Sequence, residues 1–161
     1  MVIRKLNELE HESLKKALDE VRFCSLSKLR DDPLMWAHYA DGARGCVFEV
    51  ELSEKCRFED VSYRGPLDIE TPSSQDIKEK AIQILICKNE CWDYEQEIRV
   101  FTTEGKYIEI VRVRRVIIGE KAEKTAASVL RQVIEKIDSK IEVIDRRNKP
   151  NDKPVGSMSE A

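Results

Sequence analysis

The chain has 161 residues, of which 41% are hydrophobic and 37% are charged, and its net charge at pH 7 is −3. This length is typical of a single domain with a buried core, and the mild acidity argues against a surface that binds nucleic acid throughout. No apolar run reaches membrane-spanning length, and no signal peptide opens the sequence. We therefore expect a cytoplasmic protein with no membrane partner and no nucleic-acid partner.

The cysteine pattern indicates reduced thiols. Five cysteines occur without a Cys-x-x-Cys pair, and only two histidines accompany them, so we expect no metal site. Cys24, Cys46 and Cys56 lie in apolar, strand-like runs, where a thiol behaves as a small hydrophobic group. We expect these three side chains to be buried.

Hydrophobic periodicity and turn signals give the predicted elements of the first two thirds of the chain. Asp32 and Pro33 are typical of a helix start, because the first caps free amides and the second fits the first helical position. The predicted elements are a helix over 4–20, a strand over 21–27, a helix from 33 that ends at the glycines 42 and 45, a hairpin of strands 45–52 and 56–63, a loop over 64–75, a helix over 76–90, and a hairpin of strands 97–103 and 106–111.

The hydrophobic pattern of the last third of the chain predicts a βαβ unit. An apolar strand over 115–118 ends at Gly119, a helix with one apolar face covers 120–138, and a strand over 141–144 is expected to run parallel to the first. The fold class is α+β, with a mixed sheet and flanking helices. We expect an N-terminal helix over 1–20, one domain over 21–146, and a disordered tail over 147–161, where apolar residues become rare.

Met35–Ala40 is the first candidate site segment. Trp36 and Tyr39 share a helix face, whereas His38 points elsewhere. Either Trp36 packs in the core while His38 binds a carbonyl or carboxylate, or these side chains line a pocket where an aromatic ring stacks on a base or a nicotinamide ring.

Trp92–Arg99 is the second candidate site segment. If one strand spans it, alternation places Glu95, Glu97 and Arg99 on a single face. That face is either an ion-pair network or a catalytic surface, because closely spaced carboxylates raise one pKa and leave the other group ionised. Arg99 is also suited to holding a phosphate. We predict that the two segments meet in space and that both tryptophans, Trp36 and Trp92, are largely buried.

The hydroxyls of Ser25 and Ser27 face one side of the first strand, as the polar face of an edge strand or as ligand-binding groups. The candidate residues are Glu97 and Glu95 for catalysis, and Ser25, Ser27, Trp36, His38, Tyr39, Tyr94 and Arg99 for ligand binding.

Several motifs together resemble a bacterial and archaeal family, the domain-of-unknown-function family 2971. The resemblance covers about residues 21–120. Its motifs are Ser25-Leu26-Ser27, Leu34-Met35-Trp36-Ala37-His38-Tyr39-Ala40 with Gly45, Val61-x-Tyr63, Lys88-x-x-x-Trp92-x-Tyr94-Glu95-x-Glu97-x-Arg99, and Val116-Ile117-Ile118-Gly119. The family has no settled activity. Its longer members carry an N-terminal region that is not found here, so the chain resembles a short form or a fragment.

The pattern is similar, more loosely, to the ADP-ribosyltransferase fold. Those enzymes bind NAD between two small sheets. A first strand gives a His or Arg, a second gives a Tyr or a Ser-x-Ser turn, and a later strand gives a catalytic glutamate, often in Glu-x-Glu. Arg22, Ser25-Leu26-Ser27 and Glu95-Gln96-Glu97 match parts of this in order, although Arg22 shares its strand with the serines. The resemblance implies NAD as a substrate, with Glu97 stabilising the oxocarbenium cation.

Two other classes stay open. One is a non-catalytic module that binds a small molecule or a protein. The oligomeric state is also left open by the sequence. The other is a magnesium-dependent nuclease, in which Glu97 would hold the metal ion. The nuclease pattern needs a lysine where this chain has Arg99, and an arginine does not give up a proton near neutral pH.

Overall fold

The computed structural model describes residues 8–64, 76–102 and 110–148. The elements, in chain order, are α1 Glu8–Glu20, β1 Phe23–Ser27, α2 Pro33–Tyr39, β2 Cys46–Leu52, β3 Arg57–Asp60, β4 Ser62–Arg64, α3 Ile77–Leu85, β5 Cys87–Asn89, a 3₁₀-helix Glu90–Glu95, β6 Glu97–Phe101, β7 Ile110–Ile118, α4 Lys124–Ile137, β8 Glu142–Asp145 and a 3₁₀-helix Arg146–Asn148. The predicted α+β class is confirmed. None of the helices in these ranges is long and apolar enough to cross a membrane.

The chain divides into two compact units. The first unit contains Met1–Asp32 and Glu51–Arg112, and the second contains Pro33–Val50 and Val113–Ala161. The prediction of one domain over 21–146 stays a prediction.

The first unit contains a three-stranded sheet in the order β1-β6-β3, and β6 is antiparallel to both neighbours. A separate parallel pair joins β4 and β5. Helices α1 and α3 pack through Leu14, Ala17 and Ala81, with partly buried apolar side chains around them. The α3 helix begins where Asp76 accepts hydrogen bonds from the Lys78 and Glu79 amides, because free N–H groups at a helix start need such a cap.

The second unit is built around the sheet β2-β7-β8. Strands β7 and β8 are parallel and α4 lies between them in sequence, so the predicted βαβ unit is confirmed. Trp36, Ala40 and Ile117 form the core, and the apolar side chains of Val47 and Ile144 pack against it.

The first predicted hairpin is wrong. Strand β2 pairs with β7, and β3 pairs with β6, although β2 and β3 are neighbours in sequence. The helix predicted over 76–90 ends at Leu85, and the three-residue strand β5 follows it. Both errors have the same cause. The structure of these segments depends on pairing with strands that are distant in sequence, and local hydrophobic periodicity does not reveal such pairing.

The cysteines are free thiols, but the predicted burial is wrong. Cys24 is exposed, and Cys46 and Cys56 are half-buried. Cys24 lies in β1 and Cys46 begins β2, whereas Cys56 precedes β3, so a cysteine in an apolar run need not reach the core.

The tail prediction needs a correction at its first two residues, 147 and 148, which lie in the last 3₁₀-helix. Arg147 belongs to the last 3₁₀-helix, and its Nε and Nη2 atoms lie 2.9 and 2.6 Å from the carboxylate oxygens of buried Asp145. The rest of the predicted tail, residues 149–161, lies outside the described residues, as does most of the loop 64–75. The second predicted hairpin is also wrong, because β6 pairs with β1 and β3, whereas β7 pairs with β2 and β8.

Candidate functional site

Glu97 stands at the start of β6, the central strand of the first unit's sheet. Its neighbour in register on β1 is Ser27, and Arg99 is opposite Ser25. The Glu97 N–H donates to the Tyr63 hydroxyl at 2.7 Å, and its carbonyl accepts from the Val61 N–H at 3.0 Å. The backbone of Glu97 is therefore fixed on both sides.

The Glu97 carboxylate accepts hydrogen bonds from three side chains. The Ser25 hydroxyl lies 2.5 Å from Oε1, Arg99 Nε lies 2.8 Å from the same oxygen, and Lys88 Nζ lies 3.0 Å from Oε2. The Glu97 residue is only 5% exposed. Since Glu97 and Arg99 are two positions apart on one strand, their contact follows from strand alternation, as the sequence predicted.

Lys88 connects the two candidate carboxylates. Its ammonium bonds to Glu95 Oε2 as well as to Glu97 Oε2, and Glu95 is also buried. Glu95 does not lie on the strand, as alternation had implied. It ends the 3₁₀-helix Glu90–Glu95, and the left-handed backbone of Gln96, with φ of 44°, separates it from β6. We call Ser25, Lys88, Glu95, Glu97 and Arg99 the Glu97 cluster.

The charge state of Glu97 follows from these contacts. Burial alone would raise its pKa, but the hydrogen bonds from Arg99, Ser25 and Lys88 outweigh burial and lower the pKa from 4.5 to about 2. For Lys88, burial opposes the charged form, yet the hydrogen bonds to Glu95 and Glu97 raise the pKa of the ammonium. Glu97 is thus an ionised acceptor at neutral pH, and it is not suited to donating a proton there.

Ser27 has a different environment from Ser25. Its hydroxyl donates to the Glu95 carbonyl at 2.7 Å and accepts from the Leu29 N–H at 3.0 Å. These bonds hold the end of β1 against the 3₁₀-helix, so this side chain supports the backbone around Glu95.

The aromatic residues of the second segment border the Glu97 cluster. Lys88 Nζ lies 5.2 Å from the Trp92 ring, and the ring centroids of Trp92 and Tyr94 are 6.0 Å apart. Trp92 is 37% exposed, so its predicted burial is wrong. The short 3₁₀-helix presents this ring to solvent beside the charged residues. Burial raises the pKa of the Tyr94 hydroxyl.

The aromatic residues of the first segment belong to the second unit. Trp36 is 4% exposed, in agreement with its predicted burial, whereas Tyr39 is 62% exposed. The His38 and Tyr39 rings are 6.3 Å apart and nearly perpendicular. Because these residues and the Glu97 cluster lie in different units, the prediction that the two segments meet stays a prediction.

The sequence-based site residues did not include Lys88 or Tyr63. Both belong to the quoted motifs Lys88-x-x-x-Trp92 and Val61-x-Tyr63, so their spacing was the available signal. No role could be given to them, because Lys88 was placed in a helix and Tyr63 at the end of the predicted strand 56–63, and the pairing of β4 with β5 was not predicted. Among the described residues, no group of three or more His, Cys, Asp or Glu side chains is placed to hold a metal ion.

Comparisons of the chain with protein-family models, with curated proteins and with solved structures found no match. The resemblance to family 2971 and to the ADP-ribosyltransferase fold therefore rests on the motifs themselves and stays a prediction.

Proposed function

We propose that the Glu97 cluster binds NAD, as in an ADP-ribosyltransferase-like protein, and that Glu97 assists the departure of nicotinamide. One observation carries the proposal. The strand with Ser25 and Ser27 is hydrogen-bonded to the strand that begins at Glu97, and the Ser25 hydroxyl contacts the Glu97 carboxylate. A cytoplasmic location, where NAD is available, is part of the proposal.

The ionisation of Glu97 suits this chemistry. The bond between ribose C1′ and the nicotinamide nitrogen breaks, and its electron pair leaves with nicotinamide. The ribose becomes an oxocarbenium cation, and water or a hydroxyl or amine nucleophile then adds to C1′ and loses a proton. A carboxylate with a pKa of about 2 remains negative throughout, and its charge favours the cationic transition state over the ground state.

The Glu97 carboxylate can accept one more hydrogen bond, from a substrate hydroxyl. A carboxylate has about four lone-pair sites, and hydrogen bonds from Ser25, Arg99 and Lys88 occupy three of them. The remaining site could accept a ribose hydroxyl of NAD. Replacing a group that stabilises transition-state charge typically lowers kcat by about 10²–10³.

Trp92 offers a stacking surface beside the carboxylates. Its indole is partly exposed, and the Lys88 ammonium is near its ring. A nicotinamide or adenine ring that stacked on Trp92 would lie close to the Glu97 cluster, and stacking on an aromatic side chain contributes on the order of 1 kcal/mol. Glu95 is buried against Lys88, so in this proposal it positions the lysine and does not contact an acceptor.

A non-catalytic module is the second candidate. It is favoured by the balanced charges and satisfied hydrogen bonds of the Glu97 cluster. The charges of two carboxylates, Lys88 and Arg99 cancel. Among the described residues, no buried side-chain nitrogen or oxygen lacks a hydrogen-bond partner. A network that is already satisfied stabilises a fold without needing a ligand.

Calorimetric titration with NAD tests the proposal. The wild type is expected to bind with measurable heat at millimolar NAD, and Glu97→Gln is expected to bind nearly as well, since the carboxylate acts mainly in the transition state. Ser25→Ala and Trp92→Ala should weaken binding. Asp145→Asn is the matched control, because it removes another buried, arginine-paired carboxylate and belongs to the other unit. No heat with folded wild-type protein would contradict the proposal and favour the module. Magnesium-dependent cutting of nucleic acid, lost in Glu97→Gln, would favour the nuclease.

A further inference from the structure

A cleft of about 310 Å³ opens in the second unit, at the carboxyl ends of its two parallel strands. Glu120 and Lys121 follow the end of β7, and Arg146 follows the end of β8. The rest of the lining comes from α2 and the turn after it, namely Pro33, Trp36, Ala37, Gly42 and Ala43. Ligands of open α/β sheets bind at this edge, outside the carboxyl ends of the strands.

The backbone around the cleft is fixed by close contacts. The Gly119 N–H donates to the Gly45 carbonyl at 2.9 Å, and the Lys121 N–H donates to the Ala43 carbonyl at 3.0 Å. A Cβ atom on Gly119 would lie 2.1 Å from the Ala43 oxygen, so only glycine permits this approach. Ala43 itself has a φ of 67°, a left-handed conformation that costs an alanine roughly 1–3 kcal/mol.

The charges of the lining favour a small anion. Lys121 and Arg146 are the cations of the lining, and Glu120 is its one carboxylate. Within the described ranges, the side chains of Lys121 and Glu120 form no ion pair. Lys121 can therefore meet a ligand anion, and Glu120 would repel a second negative charge.

The apolar part of the lining favours a flat ring. Pro33, Trp36 and Ala37 contribute carbon surface. The Arg146 guanidinium lies 4.7 Å from the centroid of the Trp36 ring, which is a cation–π contact beside the apolar part of the lining. The volume is at the lower end of the roughly 300–1,000 Å³ range of small-molecule sites.

From these observations we propose that the cleft is a binding site for a small aromatic or heteroaromatic monocarboxylate. The carboxylate binds Lys121 and the edge of Arg146, and the ring lies against the apolar residues of α2. This site is independent of the Glu97 cluster and does not rest on NAD binding. The proposed NAD binding assigns no function to the first candidate site segment, Met35–Ala40, and this second site would give it one.

Benzoate and its neutral isostere benzamide are a matched pair of probes. The Trp36 indole N–H resonance of the ¹⁵N-labelled protein is followed as each probe is added, with the indole resonances assigned from a Trp92→Phe spectrum. Benzoate should shift the Trp36 resonance with a Kd on the order of 1 mM, and benzamide should bind at least about tenfold more weakly.

Variants then test how the charged side chains of the cleft affect benzoate binding. Lys121→Gln should weaken benzoate binding about tenfold, and Glu120→Gln should strengthen it several-fold, because the repelling carboxylate is removed. Lys124→Gln is the control, since it changes an exposed lysine at the start of α4 that does not line the cleft. Equal binding of benzamide, unchanged binding by Lys121→Gln, or no shift of Trp36 at tens of millimolar benzoate would each overturn the proposal.

Discussion

The Ser25 hydroxyl donates a 2.5 Å hydrogen bond to Glu97 Oε1, although 72 residues separate the two positions in the chain. The contact exists because β1 and β6 are antiparallel neighbours that place Ser25 opposite Arg99. Arg99 donates to the same carboxylate oxygen. A serine and an arginine on adjacent strands thus keep one buried carboxylate ionised, which is the basis of the first prediction.

Glu97 is expected to contribute a pH-dependent stabilisation. Its folded-state pKa of about 2 lies below its ordinary value of 4.5, so the contribution is complete above about pH 4.5 and is lost as the pH falls towards 2. The shift corresponds to about 3 kcal/mol. The difference in free energy of unfolding between wild type and Glu97→Gln, measured by urea denaturation, should therefore shrink by up to about that amount on acidification. A difference that stays constant with pH would contradict this account.

Replacing Lys88 is expected to destabilise the first unit strongly. Lys88→Met leaves two buried carboxylates without their shared ammonium, and breaking a buried ion pair on one side costs about 3–5 kcal/mol. Lys28→Met is the matched control. Lys28 also binds a carboxylate, that of Asp60, but both side chains are about half exposed or more, and such a pair contributes roughly 0–1 kcal/mol. Chemical denaturation at neutral pH checks both, and equal losses would show that burial of the pair is unimportant.

Local patterns predicted the parts of the fold that depend on neighbours in sequence. The βαβ unit around α4 was predicted because its strands are apolar and its helix has one apolar face. The pairing of β2 with β7 was not predicted, because a hairpin between adjacent strands is the default when only local spacing is known.

The same limit explains what the sequence missed at the site. Glu97, Arg99 and Ser25 were identified because two of them share a strand face and the third lies in a Ser-x-Ser pattern. Lys88 was placed in a helix, since the apolar period of α3 continues to Ile86, and the parallel contact of β4 with β5 that ends this helix has no local signature. Glu95 and Glu97 meet through Lys88 and not through strand alternation.

The two tryptophans are expected to contribute unequally to stability. Trp36→Ala should cost about 3–5 kcal/mol, because it empties a buried site in the core of the second unit. Trp92→Ala should cost less, since its ring is partly exposed. Thermal and urea denaturation of the two variants provide the comparison, with the intrinsic fluorescence of each single-tryptophan protein reporting exposure. A larger loss from Trp92→Ala would refute the assignment of Trp36 to the core.

Arg147 is expected to stabilise the second unit, unlike the residues after Asn148. The Asp145 carboxyl has a pKa lowered by its hydrogen bonds to Arg147 and Arg131, against the effect of burial. Arg147→Met removes one of these partners and should cost about 1–3 kcal/mol. A chain that ends at Asn148 keeps Arg147 and should melt at the wild-type temperature, in line with the composition of residues 149–161. Melting curves that rank the two variants in the reverse order would contradict this prediction.

Release of nicotinamide from NAD by wild type and Glu97→Gln, compared at equal NAD occupancy, tests the central proposal most directly. We expect slow release by the wild type and a loss of about 10²–10³ in kcat for Glu97→Gln, because the glutamine has no charge to stabilise the oxocarbenium cation. Asp145→Asn, the buried carboxylate of the other unit, should retain the wild-type rate. Equal rates for wild type and Glu97→Gln, or NAD binding without any release, would contradict a catalytic role for Glu97.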